Sequence, residues 1–217
     1  MTSPLSPWMA HLGLQHPILQ APMAGTSTPQ LAAAVSNAGA LGGVGIGAYS
    51  VEQAQQHIAQ TQQLTQRPFN VNLFCHQQAA ADPVREAAWI DYLAPEFARW
   101  GAPPPATLRS IYATAVGNAA LQAMVLAQRP AVVSFHFGLP EAAFIAALRA
   151  AGTTTLACAT TLEEALQIEQ AGVDVIVAQG NHDYAAHWAG QGAPLARAMP
   201  TRELVQLLAR ELAQAGA

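Results

Sequence analysis

The sequence of 217 residues has few charged side chains and no long uninterrupted apolar stretch. Charged residues make up 10% of the chain and hydrophobic residues 52%, and much of the apolar excess is alanine. Because no stretch reaches about 18 consecutive apolar residues, the sequence predicts no membrane-spanning helix and no membrane partner. The net charge of −4 without a basic block argues against nucleic acid as the main partner. Residues 1–13 lack a basic region followed by an apolar core, so we expect a cytoplasmic protein.

Cysteine is also scarce. The two cysteines, Cys75 and Cys158, have no metal-binding spacing and cannot build a disulfide framework. Their simplest interpretation is that both are small core residues in a reducing cytoplasm. The sequence therefore predicts no metal site.

The chain does contain a regular alternation of short apolar runs with helical patterns. Six strand candidates begin at Pro17, Ala40, Pro68, Ala131, Thr153 and Val173. Helices are predicted from Thr28-Pro29 to Gly39, Val51 to Leu64, Ala106 to Gln128, Pro140 to Ala150, Thr161 to Gly172, and from Thr201 onward. Residues 82–105 interrupt the rhythm as a helical excursion. Continuous apolar strands indicate a parallel sheet covered by helices, and both a doubly wound sheet and a (β/α)₈-type barrel fit this pattern.

Candidate functional groups lie at the carboxyl ends of the predicted strands, where parallel α/β folds collect their sites. They are the tripeptide Ala21-Pro22-Met23, Asn72, His136 and the pair Gln179-Gly180. Singly, Asn72 is equally typical of a core amide, whereas His136 is more typical of a structural imidazole and Met23 of core packing. Together they form a polar, uncharged set with two carboxamides. Such a set suits a ring that has both donor and acceptor edges, as an isoalloxazine does.

Four segments carry a resemblance to a known family. They are "PILQAPMAGTSTPQLAAAVSNAGALGGVG", "FNVNLF", "VVSFHFGLP" and "AGVDVIVAQG". In this order and spacing they resemble the nitronate monooxygenases, which are FMN-dependent barrels that oxidise alkyl nitronates with O₂. The resemblance implies a TIM-barrel-type α/β fold, a flavoprotein with FMN as cofactor, and a nitronate and O₂ as substrates. It also implies that Ala21, Pro22, Met23, Asn72, Gln179 and Gly180 contact FMN, and that His136 lies in the substrate cavity.

The resemblance changes after Gly180. The family continues there with a glycine pair and a catalytic histidine, whereas this chain continues with "NHDYAAHWAGQG", which is similar to the family's extreme C-terminus. This pattern predicts an internal deletion of the last two barrel strands, with residues 1–180 as a partial barrel and residues 181–217 as a tail and helix. His187 is the weaker catalytic candidate, because it is displaced by one residue and followed by Trp188.

Three functions remain open from the sequence. The first is a nitronate monooxygenase whose activity is impaired by the deletion. The second is an FMN-dependent enoyl-thioester reductase, which shares the barrel and several motifs. The third is a non-catalytic remnant. Six strands leave open barrel edges, which predicts self-association, and the lost phosphate-binding loops predict weak or absent FMN binding.

Overall fold

The protein forms one parallel sheet, and a computed structural model describes its residues 5–179 and 199–215. The strands lie side by side in chain order: β1 (Gly42–Gly45), β2 (Phe69–Phe74), β3 (Val132–His136), β4 (Thr154–Ala159) and β5 (Val175–Ala178). A doubly wound sheet reverses its strand order, and this sheet does not. The described strands therefore form an incomplete, unclosed barrel of the (β/α) type, as predicted.

Helices alternate with the strands, and most of them pack on one face of the sheet. They are α1 (Pro7–His11), α2 (Pro29–Asn37), α3 (Val51–Leu64), α4 (Pro83–Arg99), α5 (Ala119–Gln128), α6 (Ala142–Ala150), α7 (Leu162–Gln170) and α8 (Thr201–Ala215). Side-chain caps start several of them. Thr28 accepts a hydrogen bond from the Leu31 N–H at the start of α2, and Ser50 forms a complete capping box with Gln53 at the start of α3. These caps satisfy backbone N–H groups that a first helical turn leaves free.

The cap of α7 differs in one detail from the capping box that Thr161 and Glu164 would form by their spacing. Thr161 accepts from the Glu164 N–H at 3.2 Å, as expected. The Glu164 carboxylate, however, accepts from the backbone N–H and the hydroxyl of Thr160, at 2.6 and 2.8 Å. The carboxylate thus binds one residue before the N-cap, which ties the end of β4 to α7.

Two predicted elements are shorter in the structure. The strand from Pro17 is reduced to a single parallel bridge between Leu19 and Leu41, so the described sheet has five strands rather than six. Pro17 and Pro22 flank this stretch, and proline cannot donate to a strand ladder. The helix predicted from Ala106 begins only at Ala119, with Asn118 as its N-cap.

Residues 106–118 are held outside helical geometry by backbone contacts to the sheet. The Ala113 N–H donates to the Gly47 carbonyl at 2.8 Å, and the Ala115 N–H donates to the Phe74 carbonyl at 2.7 Å. These bonds replace helical ones with contacts at the carboxyl ends of β1 and β2. Tertiary hydrogen bonding therefore overrides the local helical pattern and places this segment above the strand ends.

The apolar core lies mainly between the sheet and its helices. Outward-facing strand residues such as Val71, Val133 and Phe135 are fully buried there against α3, α5 and α6. A smaller cluster lies on the inner face, at the amino end of the strands, and is formed by Leu14, Leu41, Val132 and Leu156. The inner face is therefore apolar at its base, and its upper part is left for polar groups. Within residues 5–179 and 199–215, no helix is long and apolar enough to cross a bilayer.

Candidate functional site

A row of polar side chains lies on the inner face of the sheet, above the apolar base. Successive strand residues point to opposite faces, so residues two apart share a face. Asn70 and Asn72 on β2 therefore lie beside Ser134 and His136 on the neighbouring β3, and Cys158 on β4 continues the row. Direct hydrogen bonds across the strands confirm this placement.

The Ser134 hydroxyl joins the two asparagines. It accepts from Asn70 Nδ2 at 2.8 Å and from Asn72 Nδ2 at 2.9 Å, and Asn72 Nδ2 also donates to the Ser134 carbonyl at 3.2 Å. Both amide nitrogens are thus used. The Oδ1 atoms of Asn70 and Asn72 are buried and have no hydrogen-bond partner. A buried acceptor without a partner is costly, so the oxygen of Asn70, which lines the cavity described below, marks a place where a donor is expected to bind.

His136 continues the row toward β4. Its Nδ1 lies 2.7 Å from Asn72 Nδ2, and its Nε2 lies 3.0 Å from Cys158 Sγ. Burial lowers the pKa of His136, because a charged imidazolium would be poorly solvated here. The imidazole is therefore neutral at neutral pH.

Cys158 corrects the interpretation of both cysteines as core residues. Cys75 is indeed buried in the main core, whereas Cys158 is only partly buried and lines the cavity described below. Burial raises the pKa of the Cys158 thiol to about 11. The thiol is therefore protonated at neutral pH.

The segment after the Leu19 bridge forms the wall beside β1. Gln20 pairs with the Gly43 backbone in both directions, donating to its carbonyl at 3.0 Å and accepting from its N–H at 3.2 Å. The Ser27 hydroxyl accepts from the Met23 N–H at 2.8 Å and from Gln20 Nε2 at 3.0 Å. A side chain at Gly43 would place its Cβ 3.1 Å from the Gln20 carbonyl oxygen, so glycine permits this close approach.

A cavity of about 280 Å³ lies over the polar row. Its walls are formed by Leu19, Gln20, Ala21, Pro22, Leu41, Asn70, Ser134, His136, Leu156, Ala157, Cys158, Val177 and Gln179. Most of this lining is apolar and a few convergent groups are polar, which is typical of small-molecule sites.

The structure brings most of the predicted site residues to this cavity. Ala21, Pro22, His136 and Gln179 line it. Asn72 is fully buried behind the lining and reaches the cavity through its bond to His136. Met23 is not in the lining and its side chain is 42% exposed. Gly180 and His187 lie outside the described residues.

Four polar cavity residues were not predicted from the sequence: Gln20, Asn70, Ser134 and Cys158. The available signal was the two-residue period of strands. Asn70 precedes Asn72 by two residues, and Ser134 precedes His136 by two, so each shares a face with a residue that was predicted. Cys158 lies two residues after Leu156, so these two residues share the inner face of β4.

A second cavity, of about 450 Å³, lies at the mouth of the sheet. It is lined by Ala24, Phe74, His76, Ser110, Tyr112 and Phe137. Phe137 follows β3 with a φ of 68° and is 55% exposed. Its ring packs edge-on against Phe74, with the centroids 5.0 Å apart. This aromatic mouth adjoins His136 and gives the upper side of the site an apolar wall. Across residues 5–179 and 199–215, no cluster of three or more His, Cys, Asp or Glu side chains could hold a metal ion.

Comparison with known proteins points to the nitronate monooxygenases. Residues 6–183 match the sequence profile described as nitronate monooxygenase. The chain is 54% identical over 169 residues to a nitronate monooxygenase of Paraburkholderia phytofirmans. This alignment covers 78% of this chain and 46% of that protein. It is also 54% identical over 169 residues to a nitronate monooxygenase of Pseudomonas aeruginosa, covering 78% and 48% of the two chains.

Solved structures agree with this family. A nitroalkane oxidase from Streptomyces ansochromogenes superposes with a TM-score of 0.68 at 41% identity, over 79% of this chain and 48% of that one. FabK from Thermotoga maritima is more distant, with a TM-score of 0.54 at 28% identity, over 78% and 42% of the two chains. The chain spans about half the length of the relatives it matches. The profile match, the sequence identity and the incomplete barrel together confirm the predicted resemblance, and the chain belongs to the nitronate monooxygenase family.

Proposed function

We propose that the cavity binds the isoalloxazine ring of FMN and that the chain oxidises alkyl nitronates with O₂. One observation carries the proposal: Asn70, which lines the cavity on the inner face of a family member, has a buried carboxamide oxygen without a partner. Burying such an acceptor costs on the order of 1–3 kcal/mol unless a donor reaches it. A ligand with an N–H donor edge would recover this cost.

The residues present fit a flavin ring. The ring is flat and largely apolar, and its polar edge alternates donors with acceptors. The cavity offers apolar walls at Leu19, Leu156 and Val177, and carboxamides at Asn70 and Gln179. No charged side chain is in the described lining, which suits a ring without formal charge. Carboxamides serve either edge, because each one carries both a donor and an acceptor.

The resemblance assigns further residues to this group. By the resemblance, Ala21, Pro22, Met23, Asn72, Gln179 and Gly180 contact the cofactor, and of these Ala21, Pro22 and Gln179 line the cavity. When bound, FMN supplies the redox chemistry, taking electrons from the nitronate and passing them to O₂. The protein orients the ring through its carboxamides and excludes water with its apolar walls.

His136 and the aromatic mouth are proposed to face the substrate. The mouth formed by Phe74, Tyr112 and Phe137 would accept the alkyl part of a nitronate. His136, held neutral by burial, would present a polar group without repelling or trapping the anion. His187 stays a candidate from the sequence.

The test is oxygen uptake by the purified chain with an alkyl nitronate, with and without added FMN. We expect uptake that depends on FMN and exceeds that of free FMN with nitronate. Asn70→Leu and Asn72→Leu remove the carboxamide oxygens without adding charge and should reduce this uptake. Gln55→Leu, at an exposed amide on α3, should leave it unchanged.

Two outcomes would contradict the proposal. Consumption of NAD(P)H without nitronate oxidation would favour the enoyl-thioester reductase alternative. Oxygen uptake equal to that of free FMN, and equal in all variants, would favour the non-catalytic remnant.

A further inference from the structure

The imidazole of His136 has a close partner on each ring nitrogen. Asn72 Nδ2 lies 2.7 Å from Nδ1, and Cys158 Sγ lies 3.0 Å from Nε2. A neutral imidazole carries one hydrogen, so it donates at one nitrogen and accepts at the other. Which nitrogen carries the hydrogen depends on whether Asn72 presents its nitrogen or its oxygen to the ring.

The Ser134 carbonyl fixes the orientation of Asn72. It lies 3.2 Å from the Asn72 terminal atom that also faces His136. A backbone carbonyl can only accept, so this atom must be the amide nitrogen. The opposite orientation would place two acceptor oxygens 3.2 Å apart in a fully buried setting. Asn72 Oδ1 consequently faces away from His136 and has no hydrogen-bond partner.

The hydrogen on His136 follows from this orientation. The amide nitrogen of Asn72 has two hydrogens: one points to His136 Nδ1, and the other is shared between the hydroxyl and the carbonyl of Ser134. Because an amide nitrogen cannot accept, a hydrogen on Nδ1 would have no acceptor there, and Nδ1 carries none. Nε2 therefore carries it and donates to the Cys158 sulfur. The thiol hydrogen of Cys158 is not used by His136 and is free for the cavity.

We propose that His136 is locked as the neutral Nε2–H tautomer, with Asn72 and Cys158 as the positioning residues. Protonation would add a hydrogen at Nδ1, directly against the amide donor 2.7 Å away. Among the described residues of the cavity lining, Cys158 is the only other titratable group, and it is a neutral thiol. Among the described residues, neither the lining of this cavity nor that of the aromatic mouth contains a carboxylate that could stabilise an imidazolium. His136 is a fixed neutral donor and does not take up a proton near neutral pH.

This inference concerns the protein without cofactor or substrate, so it goes beyond the proposed function and does not depend on it. It gives Cys158 a role that the spacing of the two cysteines in the sequence does not suggest. It also explains why Asn72, rather than an aspartate, stands beside His136. An aspartate would accept from Nδ1 and reverse the tautomer.

Nitrogen NMR of the histidine-labelled protein tests the lock directly. The His136 signals are assigned by their loss in His136→Gln. In the wild type we expect a hydrogen-free Nδ1 and a hydrogen-bearing Nε2. This pattern should persist as the pH falls from 8 to about 5.5, roughly one unit below the ordinary histidine pKa.

Variants on each side of the ring separate positioning from folding. Asn72→Asp replaces the donor by an acceptor and should move the hydrogen to Nδ1 and raise the pKa of His136. Asn70→Asp is the matched control, because it adds the same charge to the same strand face. The Asn70 side chain is hydrogen-bonded to Ser134 and not to His136. Asn70→Asp should leave the hydrogen on Nε2. Cys158→Ala should speed exchange of the Nε2 hydrogen with water, and Cys158→Ser, which keeps an acceptor, should restore slow exchange.

The wild-type spectrum decides the matter even if a variant does not fold. A hydrogen on Nδ1, or protonation of His136 at its ordinary pKa, would overturn the lock. A tautomer that does not change in a folded Asn72→Asp protein would show that Asn72 does not set it. Oxygen uptake is not part of this measurement, so its result is separate from that of the proposed function.

Discussion

At the residue scale, burial sets the chemistry of the two thiols. It raises the pKa of Cys158 to about 11, and burial together with the nearby Glu141 charge raises that of Cys75 to about 12. In an unfolded chain both thiols would ionise near pH 9. Above that pH the unfolded state loses protons that the folded state keeps. The thiols therefore contribute stability that is complete below about pH 9 and is lost as the pH rises toward their folded pKa values.

This difference predicts a decline in the free energy of unfolding between about pH 9 and pH 11. Urea denaturation at a series of pH values measures it. Cys75→Ala removes the thiol with the larger shift, so its decline should be shallower than that of the wild type, although its stability at pH 7 is lower. Parallel curves for the two proteins would show that Cys75 does not contribute.

Part of the site could be predicted at this scale. The carboxyl-end rule directs attention to Asn72, His136 and Gln179, because parallel strands collect their functional groups there. The orphaned oxygens could not be predicted, since they depend on how Asn70 and Asn72 share Ser134 across two strands. Such sharing is a property of register, and register is set by tertiary packing.

At the scale of elements, Asp174 links β4 to β5. Its carboxylate accepts from the Thr155 N–H at 2.9 Å and from the Thr155 hydroxyl at 2.7 Å. The Asp174 N–H in turn donates to the same hydroxyl at 3.1 Å. Thr155 is fully buried, and Asp174 lies immediately before β5 begins. This reciprocal set fixes the position of β5 along its neighbour.

Removing that carboxylate should therefore be costly. We expect Asp174→Ala to lower the free energy of unfolding by about 2–3 kcal/mol, because it leaves buried donors of Thr155 without an acceptor. Arg149→Ala is the control. It removes a half-exposed partner of the same carboxylate, at 3.1 Å, and should cost about 1 kcal/mol or less. Equal losses in chemical denaturation would show that the ion pair, rather than the buried hydrogen bonds, stabilises the link.

Elements with strong local signals could be predicted, and the others could not. The bounds of α3 agree with the prediction because Ser50 and Gln53 form a capping box ahead of an apolar stripe. Residues 106–118 have a helical pattern but form backbone hydrogen bonds with the ends of β1 and β2 instead. Those partners are distant in sequence, so the pattern could not reveal them.

At the scale of the whole molecule, the described lining of the site is mostly apolar and carries no positive charge. None of the described residues that line the cavity is an arginine. A flavin bound there would be held by its ring, through apolar walls and carboxamides. Its phosphate would gain little, since charge-assisted hydrogen bonds to phosphate need donors that the described lining does not supply.

The proposed flavin ring would lie on the inner face of this sheet. The most direct test is a fluorescence titration of the 217-residue chain with FMN and, separately, with riboflavin, which has the same ring without the phosphate. We predict saturable quenching with both, with dissociation constants within about tenfold of each other and weaker than about 1 μM, and a common loss of affinity in Asn70→Leu and Asn72→Leu. Two phosphate contacts of about 1.5–3 kcal/mol each would instead favour FMN by more than about a hundredfold. Submicromolar FMN binding with such a preference, or no binding of either compound, would contradict the account.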